Sequence, residues 1–207
     1  MEEPTTAVAA PPAPPLVAAL VGLLLAHRAA FRRERAYQRC VALVFASLFA
    51  FARHTVTQLL AALGLTEADW SAWYRLFSVP RLDYDALSGQ FLREALAHVP
   101  VAAPCVAAVD GVQLPRHSRT MPGTSWLKAP GAPAWKPGLR RAQRYVHLAA
   151  LLPRTPEGYS RALPLRLEAA FPEKAVPGRT APRKEWEAAL AAIGWLRGQL
   201  DSLRREG

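Results

Sequence analysis

Apolar positions along this chain change period near its middle. From Leu16 to about Val99 they recur at three- and four-residue steps with few prolines between, which predicts helices near 16–31, 36–52, 54–63, 67–77 and 84–98. Pro100 and Pro104 end this pattern: each lacks a backbone donor and biases its predecessor toward extended structure, so a domain boundary is expected there. Strands are then predicted at 105–111, 143–152 and 160–168. A loop at about 114–142, holding Pro115, Pro122, Pro130, Pro133 and Pro137, joins the first two, and a Pro-Glu-Gly turn at 156–158 joins the last two. A final helix is expected over about 182–203, opened by Pro182 and carrying Trp186, Leu190, Ile193, Leu196 and Leu200 on one side. The fold class is therefore α+β. Residues 1–15 form a proline-broken, disordered leader, 16–99 a helical domain, and 105–207 a domain of three strands then a helix.

The third and fourth helices have helix-turn-helix spacing. Val56, Leu59, Leu60 and Leu63 share a face, Gly64 can take the left-handed conformation that ends a helix, and Thr66 with Asp69 makes a capping box, leaving a turn of about three residues. A DNA-reading helix would then offer Glu67, Ser71 and Arg75 to a groove. The same helix carries Trp70, Trp73, Tyr74, Leu76 and Phe77, so simple packing is the alternative reading.

Charge adds an asymmetry. Residues 1–104 hold 9 Lys/Arg against 8 Asp/Glu, and residues 105–207 hold 17 against 8, so nearly all of the net charge of +10 belongs to the second half. That half is the expected polyanion surface. Cys40 and Cys105 lie in apolar runs without zinc spacing and read as buried thiols. The apolar runs 16–26 and 40–52 are shorter than the about 18 residues a membrane span requires, and the Met1-Glu2-Glu3 start is acidic where a signal peptide is basic. A cytoplasmic protein is expected.

Candidate chemistry concentrates between residues 105 and 152. The strand C-V-A-A-V-D-G is read as ending on Asp110-Gly111, so its only charge stands at the strand's exit, a suitable place for a metal-binding carboxylate. An aspartate opening an ordinary turn has the same local sequence. Between Gln113 and Arg144 stand Arg116, Arg119, Lys128, Lys136, Arg140, Arg141 and Arg144 without one acid, an arrangement suited to phosphates. His117, Ser118 and Arg119 follow the strand closely enough to touch a scissile strand, while Trp126 and Trp135 offer rings for stacking on a base. His147 lies within an apolar strand and reads as a hydrogen-bonded core histidine.

D-G-V-Q-L-P-R-H-S-R-T-M-P-G-T-S-W (110–126), R-A-Q-R-Y-V-H-L-A-A-L-L-P (141–153), R-A-L-P-L-R-L-E-A-A-F-P (161–172) and E-W-E-A-A-L-A-A-I-G-W-L-R (185–197) together resemble the DDE transposases of bacterial insertion sequences. R-H-T-V-T-Q-L-L-A-A-L-G (53–64) and D-W-S-A-W-Y-R-L-F-S (69–78) resemble them more loosely. The resemblance implies that residues 105–207 are the first half of a ribonuclease-H-like α/β domain and that Asp110 is its first catalytic, metal-binding aspartate. The acid-free basic stretch and the residues just after the strand make Arg116, His117, Arg119, Lys128, Lys136, Arg140, Arg141 and Arg144 the expected DNA-facing residues. Intact relatives use Mg2+ or Mn2+ in pairs to cut and join phosphodiesters, and their partner DNA is the transposon's terminal repeats.

The resemblance also implies two further carboxylates, on a fourth strand and a later helix, that this chain does not match. Glu168 comes nearest, yet it reads as a solvent-facing strand residue or a neighbour of Arg166. The catalytic triad is thus expected to be incomplete in this chain, the metal not stably bound, and the protein a truncated, DNA-binding transposase inactive alone. An uncovered sheet edge and face are expected to favour self-association. Two other readings compete: a non-enzymatic DNA-binding or regulatory protein on the same scaffold, and a peripheral membrane protein using the helix near 16–31 with Arg28, Arg32, Arg33 and Arg35.

Overall fold

A computed structural model describes residues 14–51, 54–100, 103–116, 118, 121–136, 138–155, 158, 160–175 and 181–206. Two compact units divide inside a helix, between Leu87 and Ser88, upstream of the Pro100 to Pro104 passage.

The first unit is helical. Its elements are α1 (Pro15–Ala26), α2 (Glu34–Phe49), α3 (Val56–Ala62), α4 (Ser71–Ser78) and the start of α5 (Tyr84–Leu96). Helix α1 is apolar all round yet buries none of its residues. Leu43 and Ala46 of α2 pack with Leu59 and Leu60 of α3, and Trp70, Trp73 and Leu76 close over them. Thr55 caps α3 by accepting from the Gln58 amide at 3.3 Å, and Gly64 (φ 70°) ends its turn in the left-handed region, as its lack of a Cβ permits. The expected three-residue turn and Thr66/Asp69 capping box are not formed. The connection runs from 63 to 70, because the Trp70 indole donates back to the Leu65 carbonyl at 2.7 Å and pins the chain before α4 begins. Asp69 instead accepts from the Ser71 amide at 2.9 Å, and the Ser71 hydroxyl, with this amide second, holds its carboxyl below the ordinary range. Glu67 therefore lies in the turn, and only Ser71 and Arg75 ride on α4.

The second unit holds the rest of α5, strands β1 (Val106–Pro115), β2 (Thr124–Lys128), β3 (Leu139–Leu151) and β4 (Ala162–Ala169), and helix α6 (Glu185–Glu206). All pairings are antiparallel. β3 is central, β1 pairs along one edge from 106–115 to 142–151, and β2 and β4 share the other edge. Two expectations change here. β1 does not end at Asp110-Gly111 but continues to Pro115, since Val112 and Leu114 keep the two-residue alternation going. The proline-rich loop also contains a fourth strand, β2, paired to residues 139–143.

Helix α6 lies across one face of this sheet. Leu148, Ala150 and Leu165 form a core with Ala192 and Leu196 of α6 and with Leu92 and Ala95 of α5, while Val146 packs on Ala188. Trp186, Leu190 and Ile193 were expected on the buried side with Leu196 and Leu200. They remain 60%, 59% and 48% exposed, because the alanines at 188 and 192 let the helix backbone approach β3 closely and larger side chains there would not fit. Glu187 closes the start of α6, its carboxylate accepting from the Lys184 amide at 2.8 Å.

The thiols differ from expectation as well. Cys105 is exposed, and only Cys40 is partly buried, where desolvation raises its pKa and keeps it protonated.

Candidate functional site

Strand alternation splits the residues of interest between the two sheet faces. Gly111 pairs with Val146 and faces α6: a Cβ at Gly111 would stand 2.0 Å from Glu185 Oε1. Asp110, one residue earlier, therefore projects from the opposite, open face, where its cross-strand partner is His147 and the next partner along is Leu167 of β4, 41% exposed.

Asp110 is exposed, and its hydrogen bond among the described residues is local, Oδ1 accepting from the Gly111 amide at 2.7 Å. No acid or cation of the described residues pairs with it. A hydrogen-bonded core histidine was expected at 147. The imidazole is instead half-buried and makes no hydrogen bond to the described residues, because α5 and α6 pack on the other face of the sheet, with Val146 and Leu148.

The basic residues fall on both faces. On the open face, Trp126 stands opposite Arg141, and Lys128 opposite Leu139. Trp126 is 63% exposed and Lys128 is exposed. Arg141 donates to the Ser118 carbonyl at 3.1 Å and to Thr124 Oγ1 at 3.0 Å. It lies six residues from His147 along β3, roughly 20 Å at strand rise. On the covered face, Arg140 donates to Gln113 Oε1 at 3.1 Å, and Arg144 forms an ion pair with Glu185 at 2.6 Å. Arg144 is thereby neutralised, whereas Arg140 and Arg116 are held by neutral side chains. Lys136 is exposed beside Trp135, in a turn between β2 and β3. His117 and Arg119 lie outside the described residues.

Two residues matter more than the sequence suggested. Gln143 is buried and acts as a hub, its Oε1 accepting from Arg116 at 3.0 Å and its amide donating to the Pro122 carbonyl at 2.7 Å, so it aims Arg116. Glu185 reaches over Gly111 and ties α6 to β1 and β3. Glu168 is committed elsewhere, bridging Arg166 at 2.6 Å and Arg183 at 2.8 Å with a side chain only 15% exposed. It belongs to an ion-pair network.

Among the described residues no three His, Cys, Asp or Glu side chains converge as a metal cluster. The donor set near Asp110 is one carboxylate oxygen not engaged by Gly111 and one imidazole. It suits a hydrated divalent cation that takes its other ligands from water or phosphate. No described helix is long and apolar enough to cross a membrane.

No curated protein and no solved structure matches the chain. A family model does: that of the DDE superfamily endonucleases, over residues 26–205, which covers α2 through α5, the four strands and all but the last residue of α6. With a strand aspartate on an open sheet face and a basic, tryptophan-bearing strand pair on the same face, that match places this chain in the DDE superfamily endonuclease family.

Proposed function

We propose that this chain is the DNA-engaging front portion of a DDE-type transposase, with residues 105–207 as the first half of its ribonuclease-H-like domain and 16–99 as a helical DNA-recognition domain. The observation that carries the reading is the open sheet face, where Asp110 shares one surface with Trp126, Lys128 and Arg141 inside the family match. DNA laid along β3 would meet the cations at one end and the carboxylate at the other. Such a protein works in the cytoplasm on transposon ends, and an uncovered face of this kind favours self-association.

Asp110 is the residue that would hold a divalent cation. When bound in pairs, Mg2+ or Mn2+ activates the attacking oxygen and stabilises the leaving one. Within this chain the roles are more limited. Gly111 N–H fixes one carboxylate oxygen of Asp110, Gln143 aims Arg116, and Thr124 and Ser118 aim Arg141 toward phosphate. One carboxylate holds magnesium weakly, so the 207 residues alone bind DNA without cutting it.

The test is a duplex-binding titration across salt, combined with plasmid nicking in Mg2+ and Mn2+. Affinity should fall steeply with salt, nicking should be absent, and Asp110→Asn should bind as tightly as the native chain or slightly tighter, since a negative charge near phosphate is removed. Metal-dependent nicking abolished by Asp110→Asn would show a complete active site and refute the proposed division of labour.

A further inference from the structure

We propose that His147 is a second protein ligand at the divalent-cation seat of Asp110 and tilts that seat toward Mn2+ over Mg2+. The inference rests on the reading of Asp110 as a metal carboxylate and adds a residue and a preference to it.

Register carries the argument. Asp110 and His147 are directly opposed on β1 and β3, within a pairing that runs unbroken from Val106↔Leu151 to Pro115↔Ala142. Directly opposed residues place their Cβ atoms about 5 Å apart on one face. From that separation a carboxylate oxygen and an imidazole nitrogen can converge on a cation about 2.1 Å from each. Both groups have capacity to spare: Asp110 uses Oδ1 for the Gly111 amide, and the imidazole of His147 has no hydrogen-bond partner among the described residues.

The surroundings match a seat built for a ligand better than a packing pair. Asp110 is exposed and His147 half-buried, so the open side admits water and phosphate. Leu167 and Tyr145 flank His147 on the same face. The covered face supplies rigidity, because Val146 and Leu148, on either side of His147, are 1% and 0% exposed in the core. An imidazole raises affinity for Mn2+ relative to Mg2+, which strongly prefers oxygen ligands.

Mn2+ binding to the full chain, followed by the electron paramagnetic resonance signal of the free ion, tests this without DNA or turnover. The native chain should bind Mn2+ and prefer it to Mg2+ in competition. His147→Ala and Asp110→Asn should each weaken Mn2+ binding about tenfold or more, and His147→Ala should remove most of the preference. A second measurement needs no variant: substoichiometric Mn2+ should broaden the ring resonances of His147 before those of His27, His54 and His98. Native affinity in His147→Ala, equal broadening of all these histidines, or no Mn2+ binding by the native chain would each overturn the proposal. Failure of His147→Ala alone to weaken binding, with Asp110→Asn still weakening it, leaves the Asp110 reading standing. DNA affinity measured in chelator reports on the interface independently of either.

Discussion

The two faces of the sheet are made from the same strands yet have opposite characters. On the covered face, Val146, Leu148 and Ala150 pack into the core with Ala188, Ala192 and Leu196 of α6, Leu92 and Ala95 of α5 and Leu165 of β4, Arg144 is neutralised by Glu185, and Arg166 lies over the Trp195 ring at 5.0 Å. On the open face, one residue out of step along each strand, stand Asp110, His147, Arg141, Lys128 and an exposed Trp126. Burial on one side fixes the register, and the register then decides which polar groups meet on the other. In this unit the fold is held by one face and the candidate site stands on its reverse.

The largest expected contrast is in stability. Leu148→Ala deletes a side chain with no exposed surface and should cost about 3–5 kcal/mol, whereas Leu167→Ala on the open face, already 41% exposed, should cost under about 1 kcal/mol. Urea unfolding of both variants gives the comparison. Similar costs would mean that the open face is covered in the folded chain.

Next comes the turn that leads into β2. Gly123 has φ 77°, and a Cβ there would lie 2.6 Å from the Phe171 ring, so Gly123→Ala combines backbone strain with a clash against a ring that is itself packed edge-on to Tyr145. A loss of about 2 kcal/mol or more is expected by the same assay. Open-face DNA affinity should drop with it, because β2 carries Trp126 and Lys128; intact affinity would detach β2 from the interface.

The smallest effect is expected at Gly111. Its would-be Cβ meets only the end of the Glu185 side chain, which can turn aside at the expense of its ion pair with Arg144. Both partners are more than a third exposed, so Gly111→Ala and Glu185→Gln should each cost about 1 kcal/mol or less. A thermal shift much larger than that would show α6 to be anchored chiefly through Glu185.

The long apolar runs were legible from the sequence because their periods are set locally: α2 to α6, β1, β3 and β4 all fall near their expected positions. Strand β2 was not, since T-S-W-L-K is short, sits among prolines, and owes its ladder to residues 139–143 of β3. The stripe expected on helix α6 is split, because the close approach permitted by Ala188 and Ala192 buries Leu196 and leaves Trp186, Leu190 and Ile193 exposed. Thr66 and Asp69 formed a plausible capping box that lost to the tertiary demand of Trp70. At the site, Asp110 was legible as a lone charge in an apolar strand. Its partner was not: more than twenty residues separate β1 from β3, and no local signal tells which residue of the second strand will face which of the first.

The central claim, that DNA lies on the open face, is tested most directly by comparing salt slopes of duplex binding. Replacing Lys128 and Arg141 with Ala should reduce the slope of log K against log salt by about 2, roughly 0.9 for each phosphate contact removed. Replacing Arg140 and Arg144, which belong to the covered face, should leave the slope close to native. A native slope in the Lys128/Arg141 variant together with a reduced one in the Arg140/Arg144 variant would contradict the account and place the nucleic acid on the helix side of the sheet.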